Sequence, residues 1–385
     1  MKLGIYSTVD GLPWGASEYL WSEAALVLQR QGHTIGVNYQ WFPEVPERLA
    51  KIQAQGGSVF WRNRPGPEPI RLARRFTDKV LQFGERYHDL WLQQFAPDFV
   101  LISISYHTDD VSIANACLRY GIPFATLLHC ASTYDWITIH NLETYRNAYT
   151  RSDRSFFVSE ANHIIMERLL AAKILQAQTV HNPLKVPLDV GTASPLPWSE
   201  PDPVWQLACV GRIHFRSKGQ DLILQVLRQA QWRDRPVKIV FWGKDQGNQR
   251  QLEDLADWYG IRDKIQFGGY VQSPTDIWAQ SHGLLLPSRF EGMPMVTAEA
   301  MLCGRIAIVT ACGRNSEWVD EGETGFLAAA PTVKDLDAAM ERAWQHRQDW
   351  QAMGALAAER LQQRYSSDPV GEFVTELDKL YPLNS

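Results

Sequence analysis

The 385-residue sequence lacks the features that mark several protein classes. It has no apolar run of the ~18 residues that a membrane-spanning helix needs. Its five cysteines are odd in number, scattered and without C-x-x-C spacing, which argues against structural disulfides and zinc sites. The opening MKLGIYS enters a predicted strand without the charged and apolar segments of a signal peptide. These absences predict a cytoplasmic protein.

The sequence also lacks an excess of basic charge. The net charge is −5 and neither a half nor a tail is basic, so no nucleic-acid partner is expected. Hydrophobic residues make up 45% of the chain, which is typical of a globular protein. Its length exceeds what one ordinary core accommodates and predicts two domains. The 15 tryptophans are many for this length, and we expect most of them in cores or against ligands.

Short apolar segments alternate with helical periodicities along both halves of the chain. Alternating strands and helices are typical of a parallel sheet covered by helices on both faces. A long helical stretch is predicted at about 69–94 and a last amphipathic helix at about 368–382. Strands are predicted at residues 2–7, 34–39, 58–61, 98–104, 123–128, 154–158, 178–180, 205–210, 238–242, 264–267, 283–286 and 306–310.

Residues 182–203 are crowded with proline and lack periodicity, which predicts a linker. The predicted domains are residues 1–183, a linker at 184–203, a second domain at 204–365 and a C-terminal helix at 366–385. Two parallel α/β domains in tandem leave a cleft between the carboxyl ends of their sheets. Ligands bind at such ends, where helix N-termini supply partial positive charge, so this cleft is the predicted site.

The segment PSRFEGMPMVTAEAMLC at 287–303 places two carboxylates around a predicted helix start. Glu291 lies in the loop, and Glu299 lies one turn into the helix that opens at 293–297. Free N–H groups at a helix start favour an anion. Carboxylates would repel a diphosphate there, so we expect them to accept hydrogen bonds from sugar hydroxyls. The alternative is that both merely complement the helix dipole.

The segment GRIHFRSKG at 211–219 follows a predicted strand and precedes a helix. Arg212 and Lys218 flank this turn, at a strand end where a guanidinium and an ammonium are well placed to hold a diphosphate. The alternative is a pair of ordinary surface cations. That alternative weakens if both segments line one cleft.

These two segments resemble the donor domain of the retaining family 4 glycosyltransferases (glycosyl transferases group 1). That family has G-R followed by K-G, and later P-S-x-x-E-G-x-P with a second Glu, eight positions after the first, inside E-A-M-x-x-G. Turns at 313–317 and 322–325 also resemble the family's, and the resemblance covers about 205–330. It implies the GT-B fold: two Rossmann-like domains facing across a cleft, with the last helix crossing back to the N-terminal domain. The matching residues are Gly211, Arg212, Lys218, Gly219, Pro287, Ser288, Glu291, Gly292, Pro294, Glu299, Ala300, Met301 and Gly304.

The N-terminal half resembles the family less closely. Residues 15–18, Gly-Ala-Ser-Glu, are similar to the family's first turn, usually G-G-x-E, with Ala16 in place of one glycine. His129 follows a predicted strand, where the family carries a histidine near the donor's reacting carbon. A lone histidine is more often structural. Its predicted position at a strand end facing the cleft favours a functional interpretation.

The resemblance implies a role for each matched residue. Arg212 and Lys218 would stabilise the leaving diphosphate, and Glu299 would hold the ribose hydroxyls. Glu291, with the backbone N–H groups of 293–296, would position the donor sugar. The base would meet backbone groups near residues 270–272. The predicted site comprises His129, Arg212, Lys218 and Glu291 as catalytic residues, and Gly15, Arg212, Lys218, Tyr270, Val271, Glu291, Gly292, Met293, Pro294, Met295, Val296 and Glu299 as donor-binding residues.

The predicted reaction needs neither a cofactor nor a metal. Negative charge grows on a phosphate oxygen as the bond to the sugar breaks, and Arg, Lys and a helix N-terminus already supply positive charge. The family implies retention, by attack on the face that the phosphate leaves. The donor is a nucleotide-diphosphate sugar, and the acceptor is a glycan, a lipid-linked molecule or a small molecule. The sequence indicates neither the nucleotide, the sugar, the acceptor nor the oligomeric state.

Residues 62–86 carry many basic residues interleaved with apolar ones at helical spacing. One interpretation is a helix that docks on an anionic membrane surface. We favour a solvated helix whose apolar stripe packs in the core.

Three other functions compete with glycosyl transfer. They are a nucleotide-sugar binding protein that has lost turnover, a phosphorylase or epimerase on the same fold, and a Rossmann dehydrogenase. The intact sets of Glu and basic residues argue against lost turnover. The first turn lacks G-x-G-x-x-G, which argues against a dehydrogenase.

Overall fold

The computed structural model describes residues 1–63, 83–184, 195–201 and 203–381. The chain divides into two units, one formed by Met1–Pro183 with Asp368–Ser385 and the other by Leu184–Ser367. Most of the basic stretch at 62–86 and most of the predicted linker lie outside the described residues. The membrane hypothesis therefore stays a prediction.

The first unit is built around one parallel sheet with the strand order β3-β2-β1-β4-β5-β6-β7. Its central strands β4 and β5 are buried along their whole length, as expected of strands covered on both faces. The strands are β1 (Lys2–Ser7), β2 (Thr34–Gln40), β3 (Ser58–Arg62), β4 (Phe99–Ile104), β5 (Phe124–Leu128), β6 (Arg154–Phe157) and β7 (Ala177–Thr179). The helices are α1 (Tyr19–Arg30), α2 (Glu47–Ala54), α3 (Phe83–Phe95), α4 (Ile113–Tyr120), α5 (Leu142–Thr150) and α6 (Glu160–Leu170).

The second unit contains a smaller parallel sheet with the order β10-β9-β8-β11-β12-β13. Its strands are β8 (Trp205–Val210), β9 (Val237–Trp242), β10 (Ile265–Gly269), β11 (Gly283–Leu286), β12 (Ile306–Thr310) and β13 (Gly325–Ala328). Its helices are α7 (Phe215–Lys218), α8 (Gln220–Leu227), α9 (Ala230–Arg233), α10 (Gln249–Tyr259), α11 (Pro274–Trp278), α12 (Met295–Leu302), α13 (Asn315–Trp318), α14 (Val333–Gln345) and α15 (Trp350–Arg364). The two parallel sheets confirm the predicted fold class.

The last helix, α16 (Pro369–Leu380), returns to the first unit. Asp368 caps it by accepting a hydrogen bond of 2.8 Å from the Gly371 N–H. Its apolar face packs against α1, and the Phe373 ring meets Phe156 edge-on with centroids 5.1 Å apart. This packing confirms the predicted return of the C-terminal helix.

Several tryptophans belong to the cores, as expected from their number. Trp21 is fully buried in the first unit, and Trp232, Trp278 and Trp350 are fully buried in the second. Trp205 also meets Trp350 edge-on, with ring centroids 4.9 Å apart. These rings fill space between sheet and helices and are not available to a ligand.

A buried arginine ties the end of the linker segment to the second unit. The Arg305 guanidinium donates to the carbonyl oxygens of Trp278 (2.9 Å) and Ser281 (2.7 Å) within that unit. It also donates to those of Leu196 (3.2 Å) and Pro197 (2.8 Å). Burial lowers the pKa of Arg305, and the carbonyl oxygens replace the water that its N–H groups lose. Residues 196 and 197 are thereby held on the domain that carries the predicted donor site.

Candidate functional site

The turn after β8 and the loop after β11 are in backbone contact. Gly219 has φ of 65°, and a Cβ there would overlap the carbonyl oxygen of Pro287. The Arg289 N–H donates to the Ser217 carbonyl at 2.8 Å. Only glycine fits this crossing, which brings the G-R…K-G and P-S-x-x-E segments together.

The loop after β12 joins the same edge of the sheet. Gly313 has φ of 53°, and a Cβ there would overlap the carbonyl oxygens of Gly292 and Glu291. The Arg314 N–H donates to the Gly292 carbonyl at 3.1 Å. Three loops therefore pack backbone to backbone, as expected where parallel strands end side by side.

Lys218 and Glu291 form an ion pair where these loops meet. The Lys218 ammonium donates to Glu291 Oε1, and the Ser288 hydroxyl donates to the same oxygen at 2.7 Å. The side chains of Lys218 and Glu291 are only 17% and 12% exposed, so water screens their attraction less than on an open surface. The sequence predicted separate ligands for these two residues, whereas here they are partners. For either side chain to bind a donor, the bond between Lys218 and Glu291 would have to break.

The turn that carries Arg212 and Lys218 is rich in cationic side chains. Arg212 itself is exposed. Burial is the first cause that lowers the pKa of His214, and the nearby charges of Arg212, Arg216 and Lys218 lower it further. His214 is therefore neutral at pH 7, and the turn presents a concentration of cationic groups.

Two side chains that the sequence analysis missed hold this turn in place. The Gln220 amide donates to the Arg212 carbonyl at 2.8 Å and accepts from the His214 N–H at 3.3 Å. The Arg289 guanidinium forms a fork with both Asp221 oxygens, at 2.8 and 2.7 Å. Arg289 is visible in the motif, but nothing in the sequence pairs it with a residue 68 positions away.

Helix α12 starts two residues later than the sequence predicted, at Met295 rather than 293. Pro294 occupies the N-cap position and has neither an N–H nor a side-chain acceptor, so its predicted role as a backbone donor is wrong. Gly292 and Met293 are buried in the preceding loop. The N–H groups of Met295 and Val296 remain the donors that an anion at this helix start would meet.

Glu299 lies in the second turn of α12 and is buried, with 7% of its surface exposed. Burial raises the pKa of the Tyr365 hydroxyl, Arg314 lowers it, and the charge of Glu299 adds a smaller increase. The placement of Glu299 one turn into the helix agrees with the spacing read from the sequence. Its role toward ribose stays a prediction.

Tyr270 and Val271 follow β10 at the same edge of the sheet. The Gly243 N–H donates to the Gly269 carbonyl at 2.8 Å and thus links the ends of β9 and β10. Tyr270 is exposed, and the Lys244 ammonium lies 5.0 Å from its ring centroid. Lys244 was not predicted as part of the site.

In the first unit, Gly15 precedes a short 3-10 helix at Ala16–Glu18. Its φ of −130° and ψ of 175° are open to any residue, and a Cβ there would meet only the Ser17 hydroxyl at 3.4 Å. The fold by itself therefore does not require glycine at this position.

Glu18, the last residue of the Gly-Ala-Ser-Glu segment, is fully buried. It accepts hydrogen bonds from the hydroxyls of Ser7 (2.8 Å) and Ser17 (2.9 Å) and from the Trp21 indole (3.1 Å). Burial raises its pKa to about 7, against the lowering effect of these donors. The carboxyl thus ties the end of β1 to the start of α1.

We expect Glu18 to make the free energy of unfolding depend on pH. Because its folded pKa is about 7 rather than 4.5, its contribution is complete below pH 4.5 and is lost as pH rises to about 7. Denaturant unfolding of the wild-type protein and Glu18→Gln at several pH values measures this. Wild-type stability should fall relative to the variant between pH 4.5 and 7 and stay level above. The prediction would be contradicted if the free energies of unfolding of the two proteins changed with pH in the same way.

His129 directly follows β5, as predicted, and is buried. Its Nε2 lies 3.3 Å from the Ser103 hydroxyl, and its Nδ1 has no hydrogen-bond partner among the residues described. Burial lowers its pKa to about 3, so the ring is neutral at pH 7. A neutral ring with an unused nitrogen is consistent with a structural histidine and with one that binds the donor sugar. The role of His129 stays a prediction.

Within residues 1–63, 83–184, 195–201 and 203–381, no group of three or more His, Cys, Asp or Glu side chains is arranged to hold a metal. Asp335 and Asp337, an Asp-x-Asp pair at the start of α14, are both engaged locally. Asp335 accepts from Thr332, and Asp337 accepts from the Trp232 indole at 2.7 Å. Metal independence stays a prediction. The same part of the chain contains no helix both long and apolar enough to span a membrane.

Comparison with known proteins matches residues 205–346 to the family described as Glycosyl transferases group 1. The chain is 31% identical over 145 residues to a D-inositol 3-phosphate glycosyltransferase of Gordonia bronchialis. The aligned region covers 35% of this chain and 31% of that protein. The match thus spans about a third of that relative's length.

Solved structures extend the similarity over the whole chain. HepE of Anabaena, in complex with UDP, superimposes with a TM-score of 0.71 at 17% identity, over 98% of this chain and 100% of that one. A glycosyltransferase of Rickettsia africae gives 0.72 at 14% identity, over 100% of both chains. At these identities the likeness concerns the fold.

The two parallel-sheet units and the likeness to these solved structures define a GT-B fold. The match to the glycosyl transferases group 1 model lies entirely within the second unit.

Proposed function

We propose that this chain is a retaining glycosyltransferase that moves a sugar from a nucleotide-diphosphate donor to an acceptor without a metal. The acceptor is a glycan, a lipid-linked molecule or a small molecule. The observation that carries the proposal is the Lys218–Glu291 ion pair at the meeting point of three loops. Arg212 belongs to the same cationic turn, and a helix start with free N–H groups follows Glu291.

The chemistry requires positive charge at a fixed place. As the bond between the anomeric carbon and the phosphate oxygen breaks, negative charge grows on the diphosphate. Cations that are already positioned lower the barrier because little reorganisation is needed. Lys218 is held by Glu291, and the backbone around Arg212 is held by Gln220. Both cationic residues therefore lie on a prearranged turn before a donor arrives.

Donor binding would rearrange the ion pair in a defined way. The Lys218 ammonium would turn to a phosphate oxygen, and Glu291 would accept from a sugar hydroxyl instead. Ser288 still donates to Glu291 and would keep the carboxylate oriented during this exchange. The roles of Gly15, His129, Tyr270 and Val271 remain predictions.

Relatives support a nucleotide donor, since the HepE structure that resembles this chain holds UDP. The direct test is thermal unfolding with UDP, GDP and ADP and their sugars, each with and without EDTA. We expect one nucleoside diphosphate and its sugar to raise the Tm equally in both conditions. No shift with any of them, or a shift that EDTA abolishes, would overturn the proposal as stated. A shift without donor hydrolysis or transfer would indicate a nucleotide-sugar binding protein.

Replacing Glu299 by Gln tests its proposed contact with ribose. We expect the Kd of the stabilising nucleotide to rise about 10- to 100-fold, since a hydrogen bond to a charged group contributes about 1.5–3 kcal/mol. Isothermal titration calorimetry measures the change. Glu359→Gln, at an exposed position of α15, is the matched control and should bind like the wild-type protein. Equal Kd values for both variants would remove Glu299 from the site.

A further inference from the structure

The loop after β5, residues 129–141, carries large apolar side chains that are open to solvent. Tyr134 is 56% exposed, Trp136 61% and Ile139 76%. We refer to these three side chains as the platform. Single exposed apolar residues are ordinary, but three within six positions of one loop are typical of a binding surface.

The backbone under the platform is fixed by the loop after β4. The His107 ring lies 2.8 Å from the Asp135 carbonyl through Nε2, and because a carbonyl only accepts, Nε2 carries the hydrogen. The Tyr106 hydroxyl donates to Asp135 Oδ2 at 2.6 Å. The His107 N–H donates to the Cys130 carbonyl at 3.0 Å. The platform is therefore presented on an anchored turn.

The acidic residues of the loops after β4 and β5 limit which ligands the platform can bind. The loops after β4 and β5, residues 105–112 and 129–141, contain Asp109, Asp110 and Asp135 and neither Lys nor Arg. An anionic lipid surface or a phosphorylated ligand would be repelled. A second copy of the chain is also disfavoured, because a stable dimer buries roughly 800 Å² per partner, more than three side chains offer.

We propose that the platform binds a neutral sugar ring of the acceptor, so that the acceptor is a neutral glycan; this rests on the proposed function. A pyranose presents one apolar face of C–H groups, which suits the indole of Trp136 and the side chain of Ile139. Its hydroxyl groups are hydrogen-bond donors, which suit the Asp135 carboxylate within the same loop. The anchored loop places the apolar side chains and the carboxylate at the carboxyl edge of the first unit's sheet, where ligands of such sheets bind.

The test is a glycan array of neutral gluco-, galacto- and manno-oligosaccharides, probed with the full chain in the absence of donor. We expect the wild-type protein to bind at least one series, Trp136→Ala to bind it about tenfold more weakly, and Trp136→Phe to retain most binding. Trp258→Ala is the matched control, because Trp258 is 75% exposed on α10 of the second unit. Thermal unfolding of each variant establishes that it folds.

Several results would overturn the platform as a glycan site. They are an array without binding, equal binding by Trp136→Ala and the wild-type protein, or Trp136-dependent pelleting with vesicles of equal parts phosphatidylcholine and phosphatidylglycerol in place of glycan binding. The nucleotide panel on the same preparation separates the two proposals. A nucleotide shift without glycan binding overturns the platform alone. Glycan binding without a nucleotide shift supports the platform and overturns the proposed donor site.

Discussion

Replacing Lys218 by alanine is expected to lower the rate of sugar transfer by about 10²–10³-fold, the usual effect of removing one prearranged donor to a developing negative charge. Lys218 is the cation whose position is best defined, because Glu291 binds it at the crossing of the loops after β8 and β11. Steady-state kinetics should show the loss mainly in kcat, since the charge on the diphosphate grows as the bond breaks.

Two further variants separate catalysis from folding. Lys218→Ala leaves Glu291 in a mostly buried position without its cation, which can destabilise the loop. The double variant Lys218→Ala/Glu291→Ala removes both charges and should unfold near the wild-type Tm while staying inactive. Arg216→Ala, an equal loss of charge in the same turn at an exposed position, should retain most activity. Equal losses in Arg216→Ala and Lys218→Ala would show that only the net charge of the turn matters.

Gly219→Ala is expected to destabilise the second unit by about 3–5 kcal/mol, the sum of a left-handed non-glycine backbone and an overpacked contact. The new Cβ would overlap the backbone oxygen of Pro287, which cannot rotate away as a side chain would. For a unit of this size the Tm should drop by roughly 10 °C. Thermal unfolding measures this, and donor binding should be lost at temperatures where the variant is still folded.

Gly260→Ala is the matched control for that substitution. Gly260 has φ of 66°, nearly the same as the 65° of Gly219, but its Cβ would lie 3.7 Å from the nearest atom, on Arg233. We expect a cost of only about 1 kcal/mol from the backbone. A Tm for Gly219→Ala as high as that for Gly260→Ala would mean that the two loops are not held in contact there.

Local patterns were sufficient to predict most strands of this fold. Segments 2–7, 205–210, 283–286 and 306–310 coincide with β1, β8, β11 and β12, because buried parallel strands appear as short apolar runs between turns. β13 was not predicted, since its four residues are too few for a periodic signal. The start of α12 was placed two residues early because Pro294 was included in the helix.

The site was predictable where a motif is local and unpredictable where it depends on distant partners. The Glu291–Glu299 spacing places both residues around a helix start, as read from the sequence. The bond between Lys218 and Glu291 spans 73 positions, and it follows from the order of β8 and β11 in the sheet, which composition does not reveal. The same holds for the anchoring of Asp135 by Tyr106 and His107 across two neighbouring strands.

Arg212, Lys218 and the start of α12 are expected to bind one pyrophosphate together. This binding is measured by calorimetric titration of the preferred nucleoside diphosphate and of its monophosphate, in the wild-type protein and in Arg212→Ala/Lys218→Ala. We expect the wild-type protein to prefer the diphosphate by tenfold or more, and the double variant to bind both nucleotides with nearly equal Kd. A double variant that kept the full preference for the diphosphate would show that these two cations do not bind the pyrophosphate.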